Sequence, residues 1–183
     1  MDAAPIRTLV RLGLSVAVAG LLCVLITGAA TAVTKKPPPL PAGLRPSPIA
    51  KMPCESEAQH ELADALGLKG KVGPRTWRDH RYSCSYGYKT GSFTLSIQEL
   101  SSWNQMFSYF RSFKRTMGFV RPLANLGQGA YQTADGSVVV RKDWKVLLVN
   151  VARLPDRFGV PQTAASDIAV TVAVVILGCW AGD

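Results

Sequence analysis

Histidine, acidic side chains and cysteine are all scarce in this chain: 183 residues hold 2 His, 12 Asp plus Glu and 4 Cys. So few cysteines exclude a disulfide-dense scaffold. No two of them have the C-x-x-C spacing that sets two thiolates on one ion. His60-Glu61-x-x-Asp64 falls one residue short of the zinc-hydrolase helix pattern. The other histidine, His80, lies in a basic loop beside Arg78 and Arg81, so the three ligands of a catalytic zinc are not assembled. There is no G-x-S-x-G nucleophile elbow. The glycines of Leu126-Gly127-Gln128-Gly129-Ala130-Tyr131 lack the strand–turn–helix setting of a phosphate loop and read as turn and bulge positions. No internal repeat is visible. The sequence therefore predicts no catalytic residue, no metal and no cofactor. An enzymatic reading would need a hydrolase site assembled from scattered Ser, Asp and Tyr residues, which leaves no linear signature.

Apolar residues are plentiful, at 48% hydrophobic and 8% aromatic, which excludes a disordered polar chain. Leu12 to Val33 runs 22 residues without a charge, preceded by Arg7 and Arg11 and followed by Lys35 and Lys36. At ~1.5 Å per residue such a helix spans the ~30 Å hydrocarbon layer. A cleavable signal peptide is the competing reading, with Ala30-Thr31-Ala32 as its small-x-small exit. The stretch is longer than a signal-peptide core of about 7–15 residues, which favours an uncleaved signal anchor. Cys23 follows Leu21-Leu22 rather than a small residue, so it reads as an apolar helix residue and not a lipid-attachment site.

The proline-rich stretch KKPPPLPAGLRPSP favours extended polyproline II, a stiff spacer suited to holding a domain away from a bilayer. The predicted organisation is a cytoplasmic N-terminus (1–11), a transmembrane anchor or signal peptide (12–33), a Pro-rich linker (34–50) and an extracytoplasmic domain (51–183). About 150 residues beyond the first 35 suffice for one compact domain and exclude a large multidomain enzyme.

Within that domain, Cys54 to Gly67 has Ala58, Leu62, Ala65 and Leu66 at helical spacing, acids in the first turn and a glycine stop. The basic, Gly- and Pro-punctuated segment from Leu68 to Arg81 reads as loop. Tyr82–Tyr88 and Ser92–Leu100 flank Lys89-Thr90-Gly91 as a hairpin, with Phe93, Leu95 and Ile97 on one face and Thr94, Ser96 and Gln98 on the other. Ser102 to Met117 is a helix capped by Ser101 or Ser102, burying Met106, Phe107, Phe110 and Phe113. Ser137–Lys142 and Lys145–Arg153 are strands, with turns at Asp135-Gly136 and Lys142-Asp143. Pro161 to Trp180 is too short to span a bilayer after Asp167; its length and early proline favour a buried helix over a strand. The count is four or five strands and two or three helices, an α+β domain.

Cys54, Cys84 and Cys179 lie outside the apolar N-terminal stretch. An exported domain meets an oxidising environment, where pairing is expected and three thiols leave one over. Cys54–Cys84 would close 30 residues and contribute roughly 3–4 kcal/mol through loop entropy. Cys54–Cys179 and Cys84–Cys179 remain open alternatives.

Pro53-Cys54, a helix closing at Leu66-Gly67, Cys84 followed by Tyr86, Leu126-Gly127-x-x-Ala130-Tyr131 before a hairpin, and a terminal apolar helix together form a pattern over about residues 50–180. It resembles a family of exported actinobacterial lipoproteins and membrane-tethered proteins of unknown function. The resemblance implies an α+β domain with a curved antiparallel sheet backed by helices, and a Cys54–Cys84 disulfide. It supplies no catalytic residues. Family members typically carry a lipobox that this chain lacks, which shifts attachment to the transmembrane helix.

The formal charge is +9. Lys69, Lys71, Arg75, Arg78, Arg81 and Lys89 form a basic stretch against Asp79, with Trp77 and Tyr82 interleaved. A second run is Arg111, Lys114, Arg115 and Arg121. In an extracytoplasmic domain the available polyanions are lipid headgroups and acidic wall polymers, not nucleic acid. The same composition also suits an ordinary soluble basic surface. The leading expectation is a membrane-tethered, non-enzymatic binding or accessory domain of the cell envelope whose ligand the sequence does not identify, an anionic polymer or lipid and an envelope protein being the candidates. The alternatives are a secreted form, and a structural subunit of an envelope complex.

Overall fold

The structure, a computed structural model, describes residues 41–180. The predicted anchor at 12–33 lies outside them. Among the described residues no helix is long and apolar enough to cross a membrane. The described body is α+β, as expected, but its sheet is larger than the four or five strands read from the sequence.

Among the described residues eight antiparallel strands form one sheet. They are β1 (Lys71–Val72), β2 (Thr76–Arg78), β3 (Arg81–Tyr88), β4 (Gly91–Glu99), β5 (Arg121–Leu123), β6 (Gly129–Gln132), β7 (Val138–Lys142) and β8 (Lys145–Arg153). Their order is β1-β3-β4-β8-β7-β6-β5, with β2 sharing with β1 the free edge of β3. A small second ladder pairs β9 (Arg157–Phe158) with β10 (Thr163–Ala164). The long hairpins β3–β4 and β7–β8 match the alternating patterns of the sequence. The extra strands are short and peripheral, and each is held by a partner rather than by its own propensity. β5 even contains Pro122, which only an outer strand tolerates. The segment from Leu68 to Arg81, expected to be loop, contributes two such strands. Its turn, Asp79-His80, has both residues in left-handed backbone (φ 51° and 59°), the primed geometry that matches strand twist. Asp143-Trp144 turns β7 into β8 in the same way (φ 48° and 59°), one residue later than expected.

Among the described residues four helices surround the sheet: α1 (Pro48–Lys51), α2 (Ser56–Leu66), α3 (Trp103–Thr116) and α4 (Ala165–Cys179). α1 belongs to the stretch read as linker; Ser47 caps it, and Ala50 is buried. Ahead of α1 the chain is also docked. Trp77 Nε1–H donates to the Leu44 carbonyl at 3.1 Å, and Ser47 donates to the buried Glu99. α2 buries Ala58, Leu62 and Leu66, one residue per turn, and leaves Ala65 exposed. Gly67 stops it in the left-handed conformation (φ 62°). Ser102 caps α3 through the Gln105 N–H. Met106 and Phe110 are its buried residues, whereas Phe107 is 36% exposed. α4 starts at Ala165, later than its proline suggested. Pro161 follows a cis bond outside the helix.

One face of the sheet carries Cys84, Tyr86, Phe93, Leu95, Ile97, Leu147 and Val149 against α2 and α4 in the main core. The other face is divided. Over β7 and β8, α3 seals Met106 and Phe110 onto Tyr131, Val139 and Val146. Over β2, β3 and β4 no helix covers it among the described residues: α1, which touches β3 and β4, packs Ala50 into the main core on the opposite face.

Cys54 and Cys84 form a disulfide with Cα atoms 6.0 Å apart, and Cys179 is free. The bond joins the short 3-10 turn Met52–Cys54 to the middle of β3. Beside it Tyr86 donates its hydroxyl to the Pro53 carbonyl at 2.7 Å. Burial pushes the Tyr86 phenol far up, reinforced by neighbouring Tyr88. Burial also raises the Cys179 thiol, helped by Glu57 and Glu61. A raised thiol pKa suits a packed, unreactive cysteine.

Candidate functional site

The open half of the sheet face is the region where hydroxyls and cations gather. Strand alternation sends Ser83 and Ser85 of β3, and Ser92, Thr94 and Ser96 of β4, away from the core. Thr76 of β2 joins them, its hydroxyl 2.8 Å from that of Ser83. The result is a floor of hydroxyls. Arg81 starts β3 on this face, and its partner across the ladder, Arg78, stands beside it. Lys71 pairs with Gly87 on the same side.

Arg153 reaches the same surface by a less direct route. Along β8, Leu147, Val149 and Val151 point to the core, so simple alternation would send residue 153 inward too. Between Ser92 and Thr94 the β4–β8 register shifts. This bulge sets Arg153 opposite Ser92 and re-aims it outward. Asn150 accepts the Ala152 N–H at 3.1 Å within the bulge. The sequence reading missed Arg153 because no local signal marks the extra residue.

Two shallow depressions follow. Arg81, Ser83, Thr94, Ser96, Asn150 and Arg153 are among the residues around one of about 350 Å³. Lys69, Lys71, Ser85, Tyr88 and Lys89 border another of about 530 Å³ towards the β1 edge. No Asp or Glu lines either one. Five of the six expected cations therefore stand on or at the rim of one face: Lys69, Lys71, Arg78, Arg81 and Lys89.

Arg75 does not. It donates to the Cys54 carbonyl at 2.8 Å and lies 3.9 Å from the Glu55 carboxylate. Its role is to bind the β1–β2 connection to the disulfide turn. The interleaved aromatics also turn away: Tyr82 is buried and Trp77 packs against the main core. The second basic run lies on α3 and β5. Lys114 sits over the Phe119 ring at 4.3 Å, and Arg121 donates to Gln132 at 3.0 Å.

Among the described residues no cluster of His, Cys, Asp and Glu could hold a metal ion. Comparison of the chain with protein-family models, with curated proteins and with solved structures finds no match.

Proposed function

We propose that this protein is a membrane-tethered, extracytoplasmic, non-enzymatic binding or accessory domain of the cell envelope, and that its ligand is an anionic polymer of that envelope. The exported actinobacterial family that the sequence resembles fits this setting. The observation that carries the reading is the open sheet face: Lys71, Arg78, Arg81 and Arg153 over a hydroxyl floor with no carboxylate in its lining. Cations supply the long-range attraction, and hydroxyls and Asn150 offer short-range hydrogen bonds to phosphate, carboxylate or sugar oxygens. A serine- and threonine-rich floor suits a hydrated ligand lying flat. It offers no nucleophile–base pair for chemistry. The disulfide supports the exported address, since such bonds persist in oxidising compartments.

The test is retention of the full chain, held in neutral-lipid nanodiscs, on a polyphosphate matrix. Retention should fall steeply from low salt to physiological salt, where the Debye length is about 8 Å. The double variant Arg81→Glu/Arg153→Glu should elute with the unretained fraction while keeping its fold. Salt-independent retention, or an unchanged double variant, would overturn the reading.

A further inference from the structure

Lys69, Tyr88 and Lys89 have a second side. Around the β3 edge from the hydroxyl floor they border a cleft of about 630 Å³. That volume falls within the ~300–1,000 Å³ of small-molecule sites. Its character is the opposite of the floor's. Leu68, Pro155, Phe158 and Val160 line it, and the Tyr88 ring stands edge-on to Phe158 with centroids 4.8 Å apart. Phe158 is almost wholly buried, whereas Val160 is 62% exposed and presents apolar surface to solvent. Cations ring this apolar wall. Lys69, Lys89 and Arg157 are on its lining, and no Asp or Glu is. Arg157 donates to the Gln162 carbonyl at 2.9 Å, which leaves the two lysines as the mobile charges. The Tyr88 phenol, pushed up to about 12 by burial, stays neutral beside them.

We propose that this cleft takes one anionic single-chain amphiphile, its hydrocarbon against Leu68, Tyr88, Phe158 and Val160 and its headgroup between Lys69 and Lys89. An anionic polymer has no use for the apolar wall, and a neutral hydrocarbon has none for the lysines. A ligand with both parts satisfies the hydrophobic and electrostatic halves together. A bilayer surface would meet the lysines but could not fill a recess. The inference does not rest on polymer binding at the hydroxyl floor, although the two lysines border both.

The full chain in nanodiscs, doped with a photoactivatable alkyl phosphate bearing a terminal diazirine, gives the test. Mass spectrometry should place the crosslinks on Leu68, Pro155, Phe158 or Val160. The same alkyl chain on a trimethylammonium head should label them about tenfold less, as should Lys69→Glu/Lys89→Glu with the phosphate probe. Gln162→Trp, at an exposed position on the cleft lining, should block labelling and leave retention on polyphosphate unchanged; loss of labelling and retention together would instead mean misfolding, which a circular-dichroism melt identifies. Equal labelling by the two head groups, or labelling confined to residues outside the cleft, would overturn the proposal.

Discussion

The two halves of the sheet face opposite α2 and α4 are built from continuous strands yet behave as different materials. Over β7 and β8 the face is dry: Val139, Val146 and Tyr131 lie under Met106 and Phe110 of α3. Over β2, β3 and β4 it is paved with serine and threonine and edged with arginine and lysine. The cations differ in the same way. Arg141 and Lys114 in the covered half stand over aromatic rings at 4.8 Å and 4.3 Å. Arg78, Arg81 and Arg153 in the open half have neither ring nor carboxylate partner among the described residues. A sheet face that merely lacked its helix would expose apolar side chains and invite aggregation. This one has been made wet, and its strands draw their stability from the other side.

Several substitutions measure that division. The largest effect belongs to the covered half. Phe110→Ala removes the ring packed at 4.8 Å on Tyr131 and should cost about 3–5 kcal/mol in urea unfolding. A loss below about 1 kcal/mol would mean that α3 does not seal a second core.

Next comes the tether beneath the open half. Cys54→Ala/Cys84→Ala should cost roughly 3–4 kcal/mol by the loop-closure argument. Hydrogen exchange should then speed up in β1, β2 and β3 before β7 and β8. Uniform acceleration would show that the open half does not depend on this bond.

Third is the phenol beside that tether. Tyr86→Phe loses the hydrogen bond to Pro53 and should cost about 1–2 kcal/mol at neutral pH. Burial raises the Tyr86, Tyr88 and Tyr131 phenols above their ordinary value of about 10, Tyr88 to about 12. The neutral phenol is the form favoured on folding. Its contribution is complete below about pH 10 and is lost as pH rises through the folded values. Urea midpoints should therefore decline from about pH 10 upward, and less steeply in Tyr86→Phe. A flat alkaline profile would contradict the burial of these rings.

The smallest effect is the most diagnostic for function. Thr94→Ala, on the hydroxyl floor, should change stability by no more than about 0.5 kcal/mol. It should nevertheless weaken retention on polyphosphate. A large stability loss would mean that the floor is structural.

Reading from residues to elements succeeded where the cause was local. The Ser102 cap, the left-handed Gly67 stop and the period-two run Phe93-Thr94-Leu95-Ser96-Ile97 each act within a few positions, so α2, α3 and the central hairpin were visible in advance. The short strands were not. Lys71–Val72 and Arg121–Leu123 carry no strand pattern and exist because β3 and β6 offer them an edge. Pro161 misled for a similar reason: its ring suits a first helical turn, but the β9–β10 ladder occupies that stretch. The basic stretch was seen as a string of charges without its geometry, so Arg75 was counted in and Arg153 left out.

Composition and periodicity alone determined that this chain holds a folded α+β domain, with a capped amphipathic helix, two long hairpins and an excess of positive charge. Those properties follow from backbone preference and from side chains a turn or a strand apart. Tertiary structure decided which half of the sheet stays open, which cysteine remains free, and which arginines share a surface. Each of those outcomes depends on partners tens of residues distant. A single bulge suffices to turn Arg153 from the core side to the solvent side, because side-chain direction in a strand reverses with every residue.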